Sequence, residues 1–328
     1  LRAPYFSLFT FHLSLYPSTH NYPKKPNPQP KTNQPMTEKI RNLLVRAASG
    51  VVLLGVVLGA AFVGPLGYSA LLLLITGVGV WEFYALARAK GVEPQRGLGL
   101  VGSLGLTFAG TSILCVNYLD YYYEVFILLG IAIAALAIMF TFVVEVFRNR
   151  QTPIHNIATT IMGMVYVGLP MAVMAIIPML LDNNLDFKCP EWNPWVFLCY
   201  LFLVWGNDVF AYLVGISIGK HKMCERLSPK KSWEGFFGGV IGSLAMGALG
   251  AYIVEGNYIM WIGLALVVSL SSVVGDLAES MFKRDAGVKD SGAFIPGHGG
   301  MLDRFDALIF SAPFAFLYLI IANIFLTA

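Results

Sequence analysis

The chain has little charge and few cysteines. Asp, Glu, Lys and Arg make up 12% of its 328 residues, against about 25% in soluble domains. This deficit excludes an ordinary soluble domain, and a formal net charge of only +3 gives no indication of a nucleic-acid-binding surface. The four cysteines include no CxxC pair and no histidine at zinc spacing. Neither a zinc site nor a disulfide framework is therefore indicated.

Long hydrophobic runs take the place of the missing charge. The chain is 57% hydrophobic, with a mean hydropathy of +0.68, and a helix needs roughly 20 apolar residues to cross a bilayer. The pattern predicts an all-α polytopic integral membrane protein with about nine transmembrane helices. The predicted spans are residues 47–63, 66–88, 98–116, 125–144, 158–181, 195–218, 235–254, 258–277 and 307–326.

The distribution of Lys and Arg predicts the orientation of these spans, because positive charge collects in cytoplasmic loops. With a cytoplasmic N-terminus and an outside C-terminus, 21 of the 22 basic residues fall on the inner side, and only Lys188 lies outside. The loops 219–234 and 278–306 are then cytoplasmic.

Composition also suggests three regions. Residues 1–35 are rich in Pro, Asn and Lys after a short apolar stretch, and are interpreted as a disordered extension or a misassigned start, with no role assigned. Residues 36–194 hold the first five transmembrane helices. Residues 195–328 form a C-terminal catalytic transmembrane region with helices 6–9.

One polar segment, residues 280–306, interrupts the hydrophobic pattern near the C-terminus. Asp276 and Glu279 precede it with a spacing of three residues, and Asp303 and Asp306 repeat that spacing at its end. Residues three apart share a helix face, and Mg²⁺ prefers carboxylate and phosphate oxygens. Acids at a helix start can instead complement the helix dipole. Two acidic pairs around a basic loop favour the metal site.

The loop between these acidic pairs combines cations with glycine. Lys283, Arg284 and Lys289 supply positive charge, and the run PGHGG at residues 296–300 permits close backbone approach to a ligand. A loop of this kind that leads into a helix N-terminus suits an anion. His298 is open to three interpretations: phosphate donor, general acid or loop stabiliser.

A second basic cluster lies just before helix 7, with Lys230, Lys231 and Ser232. It could bind substrate, although cytoplasmic loops are basic in any case. Within the membrane, helix 6 carries Asp208 and helix 2 carries Glu82. Such groups usually face partners or an aqueous cavity. Asp208 and Asp276 are expected to line one cavity open to the cytoplasm, with an ion pathway as the alternative.

The glycines at the start of helix 7 have a simpler explanation. Gly235 and Gly239 form a GxxxG motif. In membrane helices this motif typically allows two backbones to pack closely. We therefore expect it to be a packing surface rather than a binding site.

The C-terminal segment resembles the signature of the phosphatidate cytidylyltransferase (CDP-diacylglycerol synthase) family. The similar positions are SMFKR at 280–284, KDSG at 289–292, IPGHGG at 295–300 and LDRFD at 302–306. Upstream similarity covers Asn207 with Asp208, Ala211 with Tyr212, Gly219 with Lys220, SPKKSWEG at 228–235 and Gly275 with Asp276. Residues 1 to about 195 resemble the family mainly in hydropathy.

This resemblance implies transfer of CMP from CTP to phosphatidic acid by an all-helical membrane homodimer, with Mg²⁺ and a monovalent cation such as K⁺. It implies a cytoplasm-facing site, and we expect a bacterial inner membrane. The implied metal ligands are Asp276, Asp303 and Asp306. The implied catalytic residues are Asp276, Lys289, Asp290, His298, Asp303 and Arg304. The implied substrate-binding residues are Lys230, Lys231, Ser232, Lys283, Arg284, Gly299, Gly300 and Asp208.

Two other functions remain open at this point. A CTP-dependent polyprenol kinase would share membrane, metal and nucleotide, but would release CDP rather than pyrophosphate. A secondary transporter would need ion-coupling groups at the midplane and an internal repeat of broken helices, and the sequence shows no such repeat.

Overall fold

The structure is a computed structural model that describes residues 36–119, 122–181, 192–297 and 299–326. Residue contacts divide the chain into two units, Leu1–Arg41 and Asn42–Ala328. The first five helices are α1 (Met36–Val63), α2 (Pro65–Ala89), α3 (Arg96–Leu114), α4 (Val116–Leu119) and α5 (Tyr123–Arg148). The later helices are α6 (Pro153–Gly163), α7 (Leu169–Met174), α8 (Ile177–Leu181), α9 (Pro194–Ile218), α10 (Trp233–Ile253), α11 (Tyr258–Asp285) and α12 (Leu302–Leu326).

The predicted fold class is confirmed. Within the described residues, nine helices are long and apolar enough to cross a membrane. Their starts follow local rules: Pro65, Pro153 and Pro194 occupy the first helical positions of α2, α6 and α9, where a missing N–H costs nothing. Asn257 caps α11 by accepting from two backbone N–H groups.

The fifth span differs from the continuous helix predicted at 158–181. It begins at Pro153, passes through a π-helical turn at Met164–Gly168, and α7 ends at Met174. Pro170 cannot donate to residue 166, and Pro178 cannot donate to residue 174. The widened turn and the break between α7 and α8 lie where these hydrogen bonds are missing.

A small hairpin occupies the predicted cytoplasmic loop 219–234. Strand β1 (Lys222–Cys224) pairs antiparallel with β2 (Ser228–Ser232), with Lys222 opposite Ser232. Glu234 joins the two ends of the hairpin, because its carboxylate accepts hydrogen bonds from the backbone N–H groups of Lys220 and His221. These hydrogen bonds fix the hairpin, including β2, against the first turn of α10.

Close helix packing brings the C-terminal spans together. A Cβ added at Gly235 would lie 2.8 Å from the carbonyl oxygen of Ala211, and one added at Gly239 would lie 2.7 Å from Oδ1 of Asn207. The prediction that this GxxxG motif packs helices is confirmed. The α2–α3 loop and the end of α11 lie on one face of the molecule, because Lys90 pairs with Asp285 at 2.9 Å. Which face is cytoplasmic stays a prediction, as does the domain division at residue 195.

Candidate active site

Three carboxylates from two helices converge on one point. Asp276 and Glu279 of α11 and Asp306 of α12 each offer an oxygen, and these oxygens all lie within 4.8 Å of one another. Helix α11 continues to Asp285, so Asp276 and Glu279 share a face as the spacing predicted. Asp306 faces them from the second turn of α12.

Gly275 permits this approach of the two helices. A Cβ at this position would lie 2.6 Å from Cβ of Phe310 and 2.9 Å from the carbonyl oxygen of Asp306. Real Cβ atoms essentially never come closer than 3.0 Å. The absence of a side chain therefore sets the distance between Asp306 and the acids of α11.

Two lysines, one on β2 and one on α11, form ion pairs with the carboxylates. Lys231 of β2 pairs with Asp276, with Nζ 2.6 Å from Oδ2. Lys283 of α11 contacts Glu279 at 2.5 Å and Asp303 at 2.6 Å. An ammonium group has three N–H donors, so Lys283 keeps one donor for a further acceptor. Charge-assisted hydrogen bonds of this kind are the strong ones.

Asp303 orders the loop that precedes α12. Its Oδ2 accepts hydrogen bonds from the backbone N–H of Ser291 at 2.9 Å and of Gly300 at 2.8 Å. The Ser291 hydroxyl lies 3.0 Å from the same oxygen, while Oδ1 faces Lys283. Both carboxylate oxygens of Asp303 are thus engaged by protein groups.

Glu82 reaches the same loop from the N-terminal half of the chain. Its Oε2 accepts from the backbone N–H of Leu302 at 2.9 Å and from the Ser291 hydroxyl at 3.2 Å. The side chain is buried. Gly300 is needed here, because a Cβ would collide with both Glu82 and Ser291. The expectation that the intramembrane Glu82 faces partners is confirmed.

A polar cavity of about 380 Å³ is lined by residues of this loop. Arg46 of α1 lines it together with Lys289, Asp290 and Arg304. The wall is completed by Gly292, Ala293, Ile295, Pro296, Gly297 and Gly299. Gly297 and Gly299 have positive φ values of 74° and 86°. Three basic side chains and exposed loop backbone suit a polyanion.

Four further predicted residues lie in the described part of the chain. Ser232 is buried and caps α10 by accepting the Gly235 N–H at 3.2 Å. Lys230 is exposed on β2. Asp208 is exposed on α9 and within electrostatic range of Asp276 and Lys231. Arg284 donates to the carbonyl of Val288 at 3.1 Å and closes the chain reversal after α11. His298 lies outside the described residues.

The carboxylate cluster fits a divalent cation. Its three carboxylates outnumber the two lysines beside them, and Oε1 of the buried Glu279 has no hydrogen-bond partner among the described residues. An unpaired buried carboxylate oxygen is costly, and hard oxygen donors are the ligands Mg²⁺ prefers. The sequence-based ligand set contained Asp276, Asp303 and Asp306. The structure joins Asp276 and Asp306 with Glu279, and ligation by Asp303 stays a prediction.

Sequence reasoning missed several residues of this site. Glu82 was recognised as a costly ionisable group, but its partners lie 209 and 220 residues away. Arg46 carried no signal of its own, because a basic residue before a first span is common. Ser291 was noticed only as part of the KDSG run at 289–292. Glu279 was noticed only through its spacing from Asp276.

Comparison with known proteins gives a consistent result. Residues 44–322 match the model of the cytidylyltransferase family. A phosphatidate cytidylyltransferase from Synechocystis is 33% identical over 295 residues, covering 84% of this chain and 96% of the relative. One from Haemophilus influenzae is 32% identical over 286 residues, covering 82% and 96%. One from Staphylococcus aureus is 49% identical over 120 residues, covering 36% and 46%. The chain therefore belongs to the cytidylyltransferase family.

Proposed function

We propose that this protein transfers CMP from CTP to phosphatidic acid, forming CDP-diacylglycerol and pyrophosphate in phospholipid biosynthesis. Membership of the cytidylyltransferase family and the names of its relatives support the reaction. The observation that carries it in the structure is the cluster of Asp276, Glu279 and Asp306 between two lysines. Such a site suits the joining of two phosphates.

The chemistry is a displacement at the α-phosphorus of CTP. A phosphate oxygen of phosphatidic acid attacks, a new P–O bond forms, and the bond from the α-phosphorus to the oxygen bridging to the β-phosphorus breaks. That bridging oxygen leaves with pyrophosphate. The attacking oxygen is already anionic near neutral pH, so no strong general base is required. Orientation and charge neutralisation are then the main tasks of the protein.

The chain's own cations perform that neutralisation. Lys231 and Lys283 are held at the carboxylate cluster by their ion pairs, and their remaining N–H donors can reach phosphate oxygens placed there. Arg46, Lys289 and Arg304 line the adjacent cavity and would hold the departing β- and γ-phosphates. A strand, three helices and a loop would thus surround the reacting phosphates with positive charge.

Asp276, Glu279 and Asp306 would hold Mg²⁺. When bound, the ion would neutralise negative charge on the phosphate oxygens of both substrates. In this assignment Asp303 positions Lys283, Ser291 and Gly300 through its four contacts. A monovalent cation beside the magnesium is a further proposal that rests on the family resemblance alone.

The protein is an integral membrane protein by its apolar spans. We propose that it resides in a bacterial inner membrane, with the site facing the cytoplasm, where CTP is available. A homodimer is also proposed from the family resemblance. A site at the membrane surface is required chemically, because one substrate is a lipid and the other a soluble, highly charged nucleotide.

The test is an assay of purified protein in detergent with labelled CTP and phosphatidic acid. We expect CDP-diacylglycerol and pyrophosphate in equal amounts, with loss of activity in EDTA and recovery on adding excess Mg²⁺. Asp306→Asn should lower turnover by about a hundredfold or more, the usual scale for losing a group that stabilises transition-state charge. Asp285→Asn is the control, because Asp285 lies on α11, the helix of Asp276 and Glu279, but forms an exposed pair with Lys90 away from the cluster.

Product identity separates the alternatives. Release of CDP with a phosphorylated polyprenol would support a CTP-dependent lipid kinase instead. Accumulation of solute in vesicles without nucleotide turnover would support a transporter. Full turnover by Asp306→Asn would overturn the metal assignment while leaving the reaction itself intact.

A further inference from the structure

A second polar cavity lies away from the site described above. It has a volume of about 490 Å³ and is formed by the α2–α3 loop together with the ends of α2, α3 and α5. Four arginines line it, namely Arg88, Arg96, Arg148 and Arg150. None of the residues assigned to the proposed reaction contributes to its wall. Such a concentration of arginine needs an explanation of its own.

The base of this cavity is firmly built around one buried carboxylate. Glu145 of α5 has a side chain 2% exposed. It accepts from Gln95 at 2.7 Å, from Asn156 at 2.7 Å and from Arg148 at 2.9 Å. Arg148 also donates to the carbonyl of Glu93 at 3.0 Å. This network fixes the α2–α3 loop against α5 and α6, so the cavity is formed before any ligand arrives.

The arginines are unequally compensated. Arg148 pairs with Glu145, and Arg150 pairs with Glu93 at 3.1 Å. Arg88 and Arg96 form no ion pair with any carboxylate in the described part of the chain, and the two repel each other as like charges. The Nε atom of Arg96 is buried without a hydrogen-bond partner among the described residues. An additional anion would satisfy both side chains.

The surroundings indicate a lipid rather than a soluble anion. The guanidinium of Arg96 lies over the ring of Trp81, 4.9 Å from its centroid, and tryptophan collects at the headgroup level of bilayers. Val144 and Leu98 line the same cavity, and Val144 and Phe147 are exposed on the apolar surface of α5. Acyl chains can run along that surface while the phosphate meets the arginines.

We propose that this arginine cavity binds the phosphate of an anionic glycerophospholipid, at a site separate from the carboxylate cluster. The site lies on the same face of the molecule as the proposed active site, since Lys90 beside the cavity pairs with Asp285 at the end of α11. Basic pockets between transmembrane helices bind anionic headgroups by the same electrostatics. The proposal does not depend on the proposed enzymatic reaction.

The test is thermal unfolding of delipidated protein titrated with phosphatidylglycerol, phosphatidylcholine or inorganic phosphate. Phosphatidylglycerol should raise the Tm, because a ligand that binds only the folded state stabilises it. The other two probes should leave it unchanged. The Arg88→Gln/Arg96→Gln variant should weaken the apparent affinity for phosphatidylglycerol by about tenfold or more, the loss expected when charged hydrogen bonds are removed.

Two controls make the result decisive. Arg226→Gln removes an exposed arginine outside both sites and should respond like the unaltered protein, and Asp306→Asn should also keep the response to phosphatidylglycerol. The proposal is wrong if the double variant binds normally, if Asp306→Asn loses the response, or if inorganic phosphate reproduces the Tm shift. Arg88→Gln alone serves if the double variant does not fold, because Arg88 is exposed and forms no ion pair with any described residue.

Discussion

Glu82 and Leu302 lie 220 residues apart in the chain, and the Glu82 carboxylate accepts the backbone N–H of Leu302 at 2.9 Å. The first N–H groups of a helix have no partner within it, and Leu302 begins α12. A carboxylate from α2 therefore completes the start of the helix that carries Asp303 and Asp306. The N-terminal half of the chain holds the proposed active site in place without contributing to its carboxylate cluster.

Glu82→Ala removes this support. The Leu302 N–H loses its acceptor in a buried place, which costs about 1–3 kcal/mol, while the Ser291 hydroxyl keeps Asp303 as an acceptor. We expect a lower Tm and a fall in turnover, with a raised KM for CTP because the loop beside the polar cavity loses its anchor. Glu82→Gln keeps an acceptor oxygen and should restore most of both properties. Glu124→Ala, an exposed acid on α5, is the control, and equal behaviour of the two alanine variants would contradict the role.

Lys283→Met tests the bridge between Glu279 and Asp303. The substitution leaves two carboxylates without their shared cation, and breaking a buried pair in this way typically costs about 3–5 kcal/mol. We expect a large loss of stability in urea or thermal unfolding and loss of turnover. Lys222→Met on the exposed hairpin should change stability by less than about 0.5 kcal/mol.

The same bridge can be measured by a double-mutant cycle with Asp303→Asn. Residues in direct contact show coupling energies of about 0.5–3 kcal/mol. We expect Lys283→Met and Asp303→Asn together to cost less than the sum of the single changes. Strict additivity would show that the contact between Lys283 and Asp303 contributes nothing to stability.

Gly275→Ala tests whether helix approach sets the geometry of the carboxylate cluster. The added methyl group would meet Phe310 and the backbone of Asp306, so α12 must shift. We expect lower stability and a higher Mg²⁺ concentration for half-maximal activity. Gly77→Ala in α2 is the matched control, because nothing lies within 4 Å of its added Cβ, and alanine favours a helix over glycine by about 1 kcal/mol. An unchanged Mg²⁺ concentration for half-maximal activity in Gly275→Ala would show that the approach of α11 and α12 does not determine metal binding.

The orientation predicted from Lys and Arg can be tested by chemical labelling. With the four native cysteines replaced by alanine, Glu255→Cys in the α10–α11 connection should react with an impermeant maleimide in intact cells. Arg226→Cys in the hairpin should react only after the membrane is opened. The reverse pattern would place the proposed site on the outer face and would exclude cytoplasmic CTP as its substrate.

The hydrophobic runs alone were sufficient to predict the membrane helices. Apolar length decides which segments cross a bilayer, because every backbone group in the hydrocarbon region must be satisfied within a helix. The fifth span was the exception, since Pro170 and Pro178 act on the hydrogen bonds of residues 166 and 174 rather than on hydropathy. The spacing of Asp276 and Glu279 also predicted a shared helix face correctly, because local helix geometry fixes it.

The sequence by itself determined the class of protein, its nine predicted spans and the segment proposed to carry the chemistry, because hydropathy and local spacing are properties of neighbouring residues. Only the tertiary structure decided that Glu279 joins Asp276 and Asp306, that Asp303 faces Lys283 and Ser291, and that Glu82 anchors α12. These choices depend on how closely Gly275 and Gly300 let separate segments approach. Distances between residues far apart in the chain follow from packing, which no local pattern specifies.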